Sequence, residues 1–359
     1  MLTTLFCNLF WHINYRNFVL LCRNVFLTFF FFLMLLPFCN RAECQPDYRV
    51  VFWNVENLFD IYDDSTRNDD AFTPRGANAW TMKRYDVKQT HIAKTIVSAG
   101  FNGKDGFELP LLVGLAEVEN DKVLRDLCRG TPLRRFDYGF VHFDSPDRRG
   151  IDVALLYRTR HFVPFLSEAI NVSDTAEGYF TRDLLLVEGV TARGDTLVAL
   201  VCHFPSKLGG TTADKRRKAI AKHLRTVMDS VTARHPSAAL VVMGDFNGAP
   251  DERELRTVYS GDSYVNLMAK VEKGRGSYKY QDYWSCIDQI IVSANMNGGA
   301  SPCPLMIMSD TGCIMESDFL LLDDDKFLGR KVFRTFLGPK YQGGYSDHLP
   351  VYVDIYRRF

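Results

Sequence analysis

Short apolar runs recur along the chain, several of them ending in a polar residue. They are Arg49–Asn54, Leu109–Glu117, Ile151–Tyr157, Thr196–His203, Ala239–Asp245, Ile287–Val292 and Leu349–Ile355. Continuous runs of this kind suit strands buried on both faces. Helical spacing appears between them. Met82 to Ala99 sets Tyr85, Val87, Ile92, Ile96 and Val97 among polar residues. Thr211 to Ala233 opens with threonines and an aspartate able to cap, then carries Ile220, Leu224, Val227 and Val231 on one stripe. The first strand leads into Asn54-Val55-Glu56-Asn57 rather than a Gly-rich nucleotide turn. That argues against a dinucleotide fold and for packed sheets flanked by helices. Asn295 to Leu337 has weak periodicity and is predicted to be a long excursion over the surface.

The first 44 residues have a different pattern. Arg16 and Arg23 precede an uncharged apolar run from Val25 to Phe38, followed by a polar stretch from Cys39 to Gln45. A basic segment, an apolar segment and a polar exit read as a secretory signal, with an uncleaved membrane anchor as the second option. The chain is therefore expected to be exported: periplasmic, secreted or membrane-anchored. Contact with a membrane is expected only through this segment, and residues 45–359 are expected to form the working domain.

Composition narrows the function classes. The 359 residues carry 43 Lys+Arg against 43 Asp+Glu, and 47% are hydrophobic, which excludes a disordered chain. Without Arg16, Arg23, Arg41 and Glu43 of the leader, 40 basic residues face 42 acidic ones, a net of −2. Such a chain does not hold nucleic acid by bulk electropositivity, although it can bind a phosphate locally. Beyond the leader the cysteines are Cys128, Cys202, Cys286, Cys303 and Cys313, without zinc spacing. Cys303 and Cys313 flank a loop and are candidates for pairing after export.

The polar strand ends are the candidates for chemistry: Asn54, Glu117, His203, Asp245 with Asn247, Asp288, and Asp347-His348. Each sits where a strand gives way to a loop, the place where a rigid scaffold displays side chains. Singly, each reads as a turn cap or a satisfied core group. In Gly244-Asp245-Phe246-Asn247 an apolar strand delivers a carboxylate and an amide on the same side, suited to holding a water and an oxyanion. In Tyr345-Ser346-Asp347-His348 the adjacent side chains diverge, so one can face a cation and the other a substrate. A distant carboxylate such as Asp288 would then set the imidazole tautomer.

In chain order, Asn54, Glu117, His203, Asp245-x-Asn247, Asp288 and Asp347-His348 resemble the endonuclease/exonuclease/phosphatase superfamily. That group includes deoxyribonuclease- and sphingomyelinase-like metal-dependent phosphoesterases. The stretches FWNVENLFD, GLAEVEN, RRGIDVALLYR and GGYSDHLPV look closest to bacterial, Bacteroidetes-like members. The resemblance implies an α/β fold, a four-layer sandwich of two mixed β-sheets face to face with helices outside. It implies a divalent cation, Mg²⁺ or Mn²⁺, held by Glu117, Asp347 and Asn54, with Glu119 the nearby competitor of Glu117. Asp245 would orient or deprotonate the attacking water and Asn247 would contact the scissile phosphate. His348, with Asp288 as its partner, and His203 would face that phosphate. Retention of His203 tilts the resemblance away from abasic-repair enzymes.

Basic groups that could bind substrate are Arg148-Arg149, able to clamp a phosphate bidentately, and Lys207 beyond His203. The run Lys215 to Lys218 reads better as a solvent face, and Trp80 and Tyr85 better as core than as a stacking platform. The leading expectation is an exported metal-dependent phosphodiesterase, most simply an endonuclease on DNA or RNA, with no obligate protein partner. The same chemistry on a sphingolipid or a phosphorylated small molecule would call for apolar insertions near the mouth, for which Phe319–Leu322 is the candidate. An inactive binding protein on this fold would show a substitution at one of these eight positions, and none is present.

Overall fold

Two mixed β-sheets form the centre of the structure, a computed structural model that describes residues 45–104, 106–207, 210–298 and 302–358. The strands that matter are β1 (Tyr48–Leu58), β2 (Leu112–Val118), β3 (Tyr138–His142), β4 (Asp152–Arg158), β5 (Phe162–Ile170), β6 (Leu184–Thr191) and β7 (Thr196–His203). They continue with β8 (Ala239–Asp245), β9 (Tyr264–Asn266), β10 (Asp288–Ser293), β11 (Leu305–Met306), β12 (Cys313–Ile314) and β13 (Val351–Arg357). The seven-stranded sheet runs β11-β13-β1-β2-β4-β3, with β12 also paired to β13. The six-stranded sheet runs β9-β10-β8-β7-β6-β5. Helix α1 (Met82–Ser98) and helix α3 (Gly210–Arg234) flank them, and the short α2 (Asp121–Arg125) follows β2.

Alternation along the strands builds the layers. In β8, Ala239, Val241 and Met243 join the core shared with the seven-stranded sheet, whereas Leu240 and Val242 lie under Ile220, Leu224, Met228 and Val231 of α3. Each fully buried side chain of this size contributes about 1.5–3 kcal/mol from burial. The two sheets meet tightly at Gly114 of β2, where a β-carbon would lie 2.7 Å from the sulfur of Met243 and would force that side chain to shift. On the other side, α1 buries Tyr85, Ile92, Ala93 and Ile96 in the larger core. The layers are helix, sheet, sheet, helix, an α/β sandwich as expected. Residues Pro46–Phe359 form one compact unit.

Two expectations are corrected. The segment from Asn295 to Leu337 is more than a surface excursion. It pairs β11 and β12 onto β13 and buries Cys303, Leu305, Ile307, Ile314, Met315, Leu320, Val332 and Phe336. Its apolar residues arrive singly or in twos, so no period shows. Cys303 and Cys313 are not bonded to each other: the first is buried with its sulfur against Leu305 O and the second is exposed. Besides β11 and β12, the strands β3, β5, β6 and β9 lay outside the expected set. The leader, residues 1–44, falls outside the described residues, among which no helix is long and apolar enough to cross a membrane.

Candidate active site

Sheet register brings the polar strand ends to one rim. Parallel pairing of β7 with β8 sets His203 level with Asp245, and antiparallel pairing of β8 with β10 sets Asp245 level with Asp288. In the other sheet β1 and β2 are parallel, with Asn54 opposite Ala116, beside Glu117. Both strands break register there. Glu56, Asn57 and Glu117 take positive φ angles of 52°, 54° and 65°, and Asn247 one of 49°. Non-glycine residues in this region carry strain of about 1–3 kcal/mol each, and such strain clusters at functional sites.

His348 is held from several sides. Ser346 Oγ donates to Asn54 O at 2.6 Å and accepts from His348 N at 3.1 Å, and Trp53 Nε1 donates to His348 O at 2.9 Å. Tyr278 pairs with His348 as a β-bridge, its ring centroid 5.0 Å from the imidazole. These contacts leave Nδ1 2.7 Å from Asp288 Oδ2 and Nε2 3.8 Å from Asp245 Oδ2. His203 Nε2 lies 3.7 Å from the same Asp245 oxygen, which also accepts from Asn54 Nδ2 at 3.0 Å. Asp245 Oδ1 accepts from Asn247 N at 2.8 Å. The Asn247 side chain donates to Phe204 O at 2.9 Å, which fixes the amide beside the site.

Burial and charge separate the protonation states of this group. Burial pushes the Asp245 carboxyl up to about 7; His348 pulls it down and Asp288 adds to the rise. For His348 burial opposes the proton, but the carboxylates of Asp288 and Asp245 overcome it and raise the imidazole well above its ordinary value. His203 goes the other way. Burial, then the charges of Arg182, Arg149 and His348, hold it well below. Near neutrality the rim therefore presents a charged imidazole, a neutral imidazole and between them a carboxyl poised to exchange a proton.

Of the residues expected at a cation, Glu117 and Asp347 both act on Lys88, and Asn54 is bonded to Asp245. Glu117 Oε2 accepts from Asn57 N at 2.8 Å, and its Oε1 lies 3.9 Å from Arg149 Nη2. Asp347 Oδ2 accepts from Arg334 at 2.9 Å. Lys88, fully buried, donates to Thr335 Oγ1 and Tyr345 O at 2.6 Å each. Burial depresses its ammonium, while Glu56, Asp347 and Glu117 act to keep the charge. Glu56 accepts from the backbone N–H groups of Thr335 and Phe336. The donor set of carboxylates and an amide suits a hard divalent cation, and the thiol of Cys202 faces the other core. Glu119 is turned away, accepting from Asp60 N at 2.5 Å. At this rim Asp245, Asp288 and His348 each offer a metal-capable atom within 4.8 Å of the others. That grouping contains the 2.7 Å imidazole–carboxylate pair.

The basic candidates divide. Arg149 donates to Asn57 Oδ1 at 2.6 Å and reaches the rim. Arg148 turns outward over the ring of Phe180, and Lys207 pairs with Glu252 at 2.5 Å. Trp80 and Tyr85 are core, and in the basic run Arg217 is buried against Asp214. Of Phe319–Leu322, Leu320 and Leu321 are buried, and Leu322 is exposed. Sequence reasoning missed Glu56, Lys88, Arg334 and Arg182. Glu56 was visible two residues after Asn54 on the same strand face. The others come from positions with no local signal.

A family model described as "Endonuclease/Exonuclease/phosphatase family" matches residues 49–357. Among solved structures, the chain is similar to the mannosyl-6-phosphatase Bt3783 of Bacteroides thetaiotaomicron. Identity is 15%, with 86% of this chain and 99% of that one covered and a TM-score of 0.54. The human Nocturnin catalytic domain with bound sulfate matches at 17% identity, 88% and 96% coverage and a TM-score of 0.54. TDP2 of D. rerio, complexed with a single-strand DNA product, matches at 16% identity, 86% and 98% coverage and a TM-score of 0.52. At these identities the likeness is one of fold. No curated protein matches the sequence.

Proposed function

The chain belongs to the endonuclease/exonuclease/phosphatase family of divalent-metal-dependent phosphoester hydrolases, and on that premise we propose that it cleaves phosphodiester bonds of a nucleic-acid strand, with Mg²⁺ or Mn²⁺ as its ion. The observation that carries this reading is the placement of one Asp245 oxygen 3.7 Å from His203 Nε2 and 3.8 Å from His348 Nε2. Asp245 holds the attacking water and takes its proton, a role its raised carboxyl suits. His348, kept charged by Asp288, donates to a phosphoryl oxygen as negative charge builds there. His203 and the Asn247 amide supply neutral hydrogen-bonding groups to the same phosphate. Arg149 steadies the anion from the loop between β3 and β4. Asn54, Glu117 and Asp347 would hold the cation, which when bound neutralises charge on the phosphate.

A second reading has its own support. A pocket of about 440 Å³ adjoins the rim, lined in part by Tyr278, Phe327, Phe333, Arg334 and Leu337. Tyr278 touches His348 and Arg334 pairs with Asp347, so a compact phosphate ester seated in this pocket would present its phosphorus to the same groups. Plasmid DNA, RNA, a nitrophenyl phosphodiester and sugar phosphates assayed side by side test the choice. Cleavage of polynucleotides alone supports the first reading, and turnover of sugar phosphates alone replaces it with the second. In either case the composition of residues 1–44 supports action outside the cytoplasm.

A further inference from the structure

We propose a second divalent-cation site, separate from the rim described above, formed by His142, Asp144 and Asp152 and oriented by Asp121. It lies at the neck of the loop that carries Arg149. β3 ends at His142 and β4 begins at Asp152. Their antiparallel register pairs His142 with Ala154, which carries Asp144, two residues on, toward Asp152. One ligand atom from each of His142, Asp144 and Asp152 lies within 4.8 Å of the others.

The imidazole is the independent pointer to an ion. The His142 side chain is only 2% exposed, yet its buried Nε2 has no hydrogen-bond partner. The nearest carboxylate oxygen, Asp152 Oδ2, is 3.6 Å away. That separation is too long for a hydrogen bond. It matches two ligands at about 2.1 Å from one ion in tetrahedral arrangement, which stand roughly 3.4 Å apart. The other ring nitrogen, Nδ1, lies 3.0 Å from Asp121 Oδ1. A carboxylate behind an imidazole fixes the tautomer and turns the free nitrogen toward a metal.

Charge points the same way. Three carboxylates gather here, and among the described residues no lysine or arginine pairs with Asp121, Asp144 or Asp152. Ser145 donates through its amide and its hydroxyl to the remaining oxygen of Asp152, which leaves Oδ2 facing His142. Asp144 is exposed and gives an ion a path from solvent. One imidazole among carboxylates favours Zn²⁺ or Mn²⁺ over the oxygen-only preference of Mg²⁺ and Ca²⁺. The ion would join two loops that serve the rim. Asp121 opens α2, four residues beyond Glu117, and residues 143–151 hold Arg149 against Asn57.

Calorimetric titration of the metal-stripped full chain with Zn²⁺, and separately with Mn²⁺, tests the site without any assay of catalysis. With at least one of the two ions, Asp144→Asn and His142→Gln are each expected to bind one equivalent fewer than the wild type. The Tm increase that this ion produces should shrink in both variants. Glu117→Gln, altered at the rim, should keep the increment that the Asp144 variant loses. Asp144 is exposed, so its substitution leaves the fold intact in circular dichroism. Equal stoichiometry and equal Tm increments in wild type and both variants, for both ions, would overturn the site and leave His142 as the sole counter-charge of the cluster.

Discussion

His348 Nδ1 sits 2.7 Å from Asp288 Oδ2, a contact between residues sixty positions apart that is buried from solvent. Asp288 opens β10 and His348 precedes β13, so each sheet contributes one partner. A buried carboxylate at this distance fixes the tautomer and keeps the imidazole charged. Asp288→Asn preserves the shape and removes the charge. The variant is expected to lose about 10²–10⁴ in kcat, the range for a positioned acid or base, with little change in KM. Steady-state kinetics on a nitrophenyl phosphodiester check this, and an unaltered kcat would detach Asp288 from the chemistry.

Asp245 is the group between the two imidazoles, and its raised carboxyl has a visible consequence. Activity should climb with pH through about 7 as the carboxylate forms. Asp245→Asn should remove that limb and lower turnover by at least about a hundredfold. A pH–rate profile of the two proteins decides the matter.

Arg148 and Arg149 are neighbours with opposite fates. Only Arg149 contacts the rim, through Asn57, while Arg148 stacks over Phe180. Arg149→Ala is expected to lower kcat/KM by about tenfold or more, the scale of one charge-assisted hydrogen bond to an anion. Arg148→Ala should stay close to wild type. Equal losses in the two variants would contradict this assignment.

Glu119 offers a test on stability. Burial, opposed by the hydrogen bond from Asp60 N and aided by the charges of Asp60, Asp69 and Asp64, pushes its carboxyl up to about 8. The folded state then binds a proton that the unfolded state releases near 4.5. Stability conferred by the protonated form is full below the unfolded value and is lost as pH rises toward 8. Glu119→Gln should gain stability relative to wild type as pH goes from 5 to 8. Urea midpoints of both proteins across that range measure it, and a difference independent of pH would refute the shift.

Much of this arrangement was legible because strand ends are local. Thr196–His203 and Ala239–Asp245 read as strands from their apolar runs, and the structure gives the same bounds. Their polar termini mark the rim without any knowledge of pairing. The strands β5 and β6 escaped notice for different reasons. β5 is an edge strand whose apolar run is interrupted by Pro164 and by Ser167-Glu168 and whose side chains, apart from Phe162, are exposed or half-buried, whereas Glu188 and Gly189 interrupt the apolar run of β6. Lys88 was invisible for a deeper reason. It occupies an ordinary polar position in the pattern of α1, and only tertiary packing places it against Thr335 and Tyr345, some 250 residues away. Arg334 likewise reaches Asp347 from a segment without periodicity.

The most direct test of the central claim is hydrolysis of a nitrophenyl phosphodiester by the purified protein with Mg²⁺ or Mn²⁺, before and after EDTA, in parallel with Glu117→Gln and His348→Ala. The account predicts turnover that EDTA abolishes and the added ion restores, with each variant at least about a hundredfold slower. Turnover that survives EDTA, or that is unchanged in both variants, would contradict a single metal-dependent centre built from these residues.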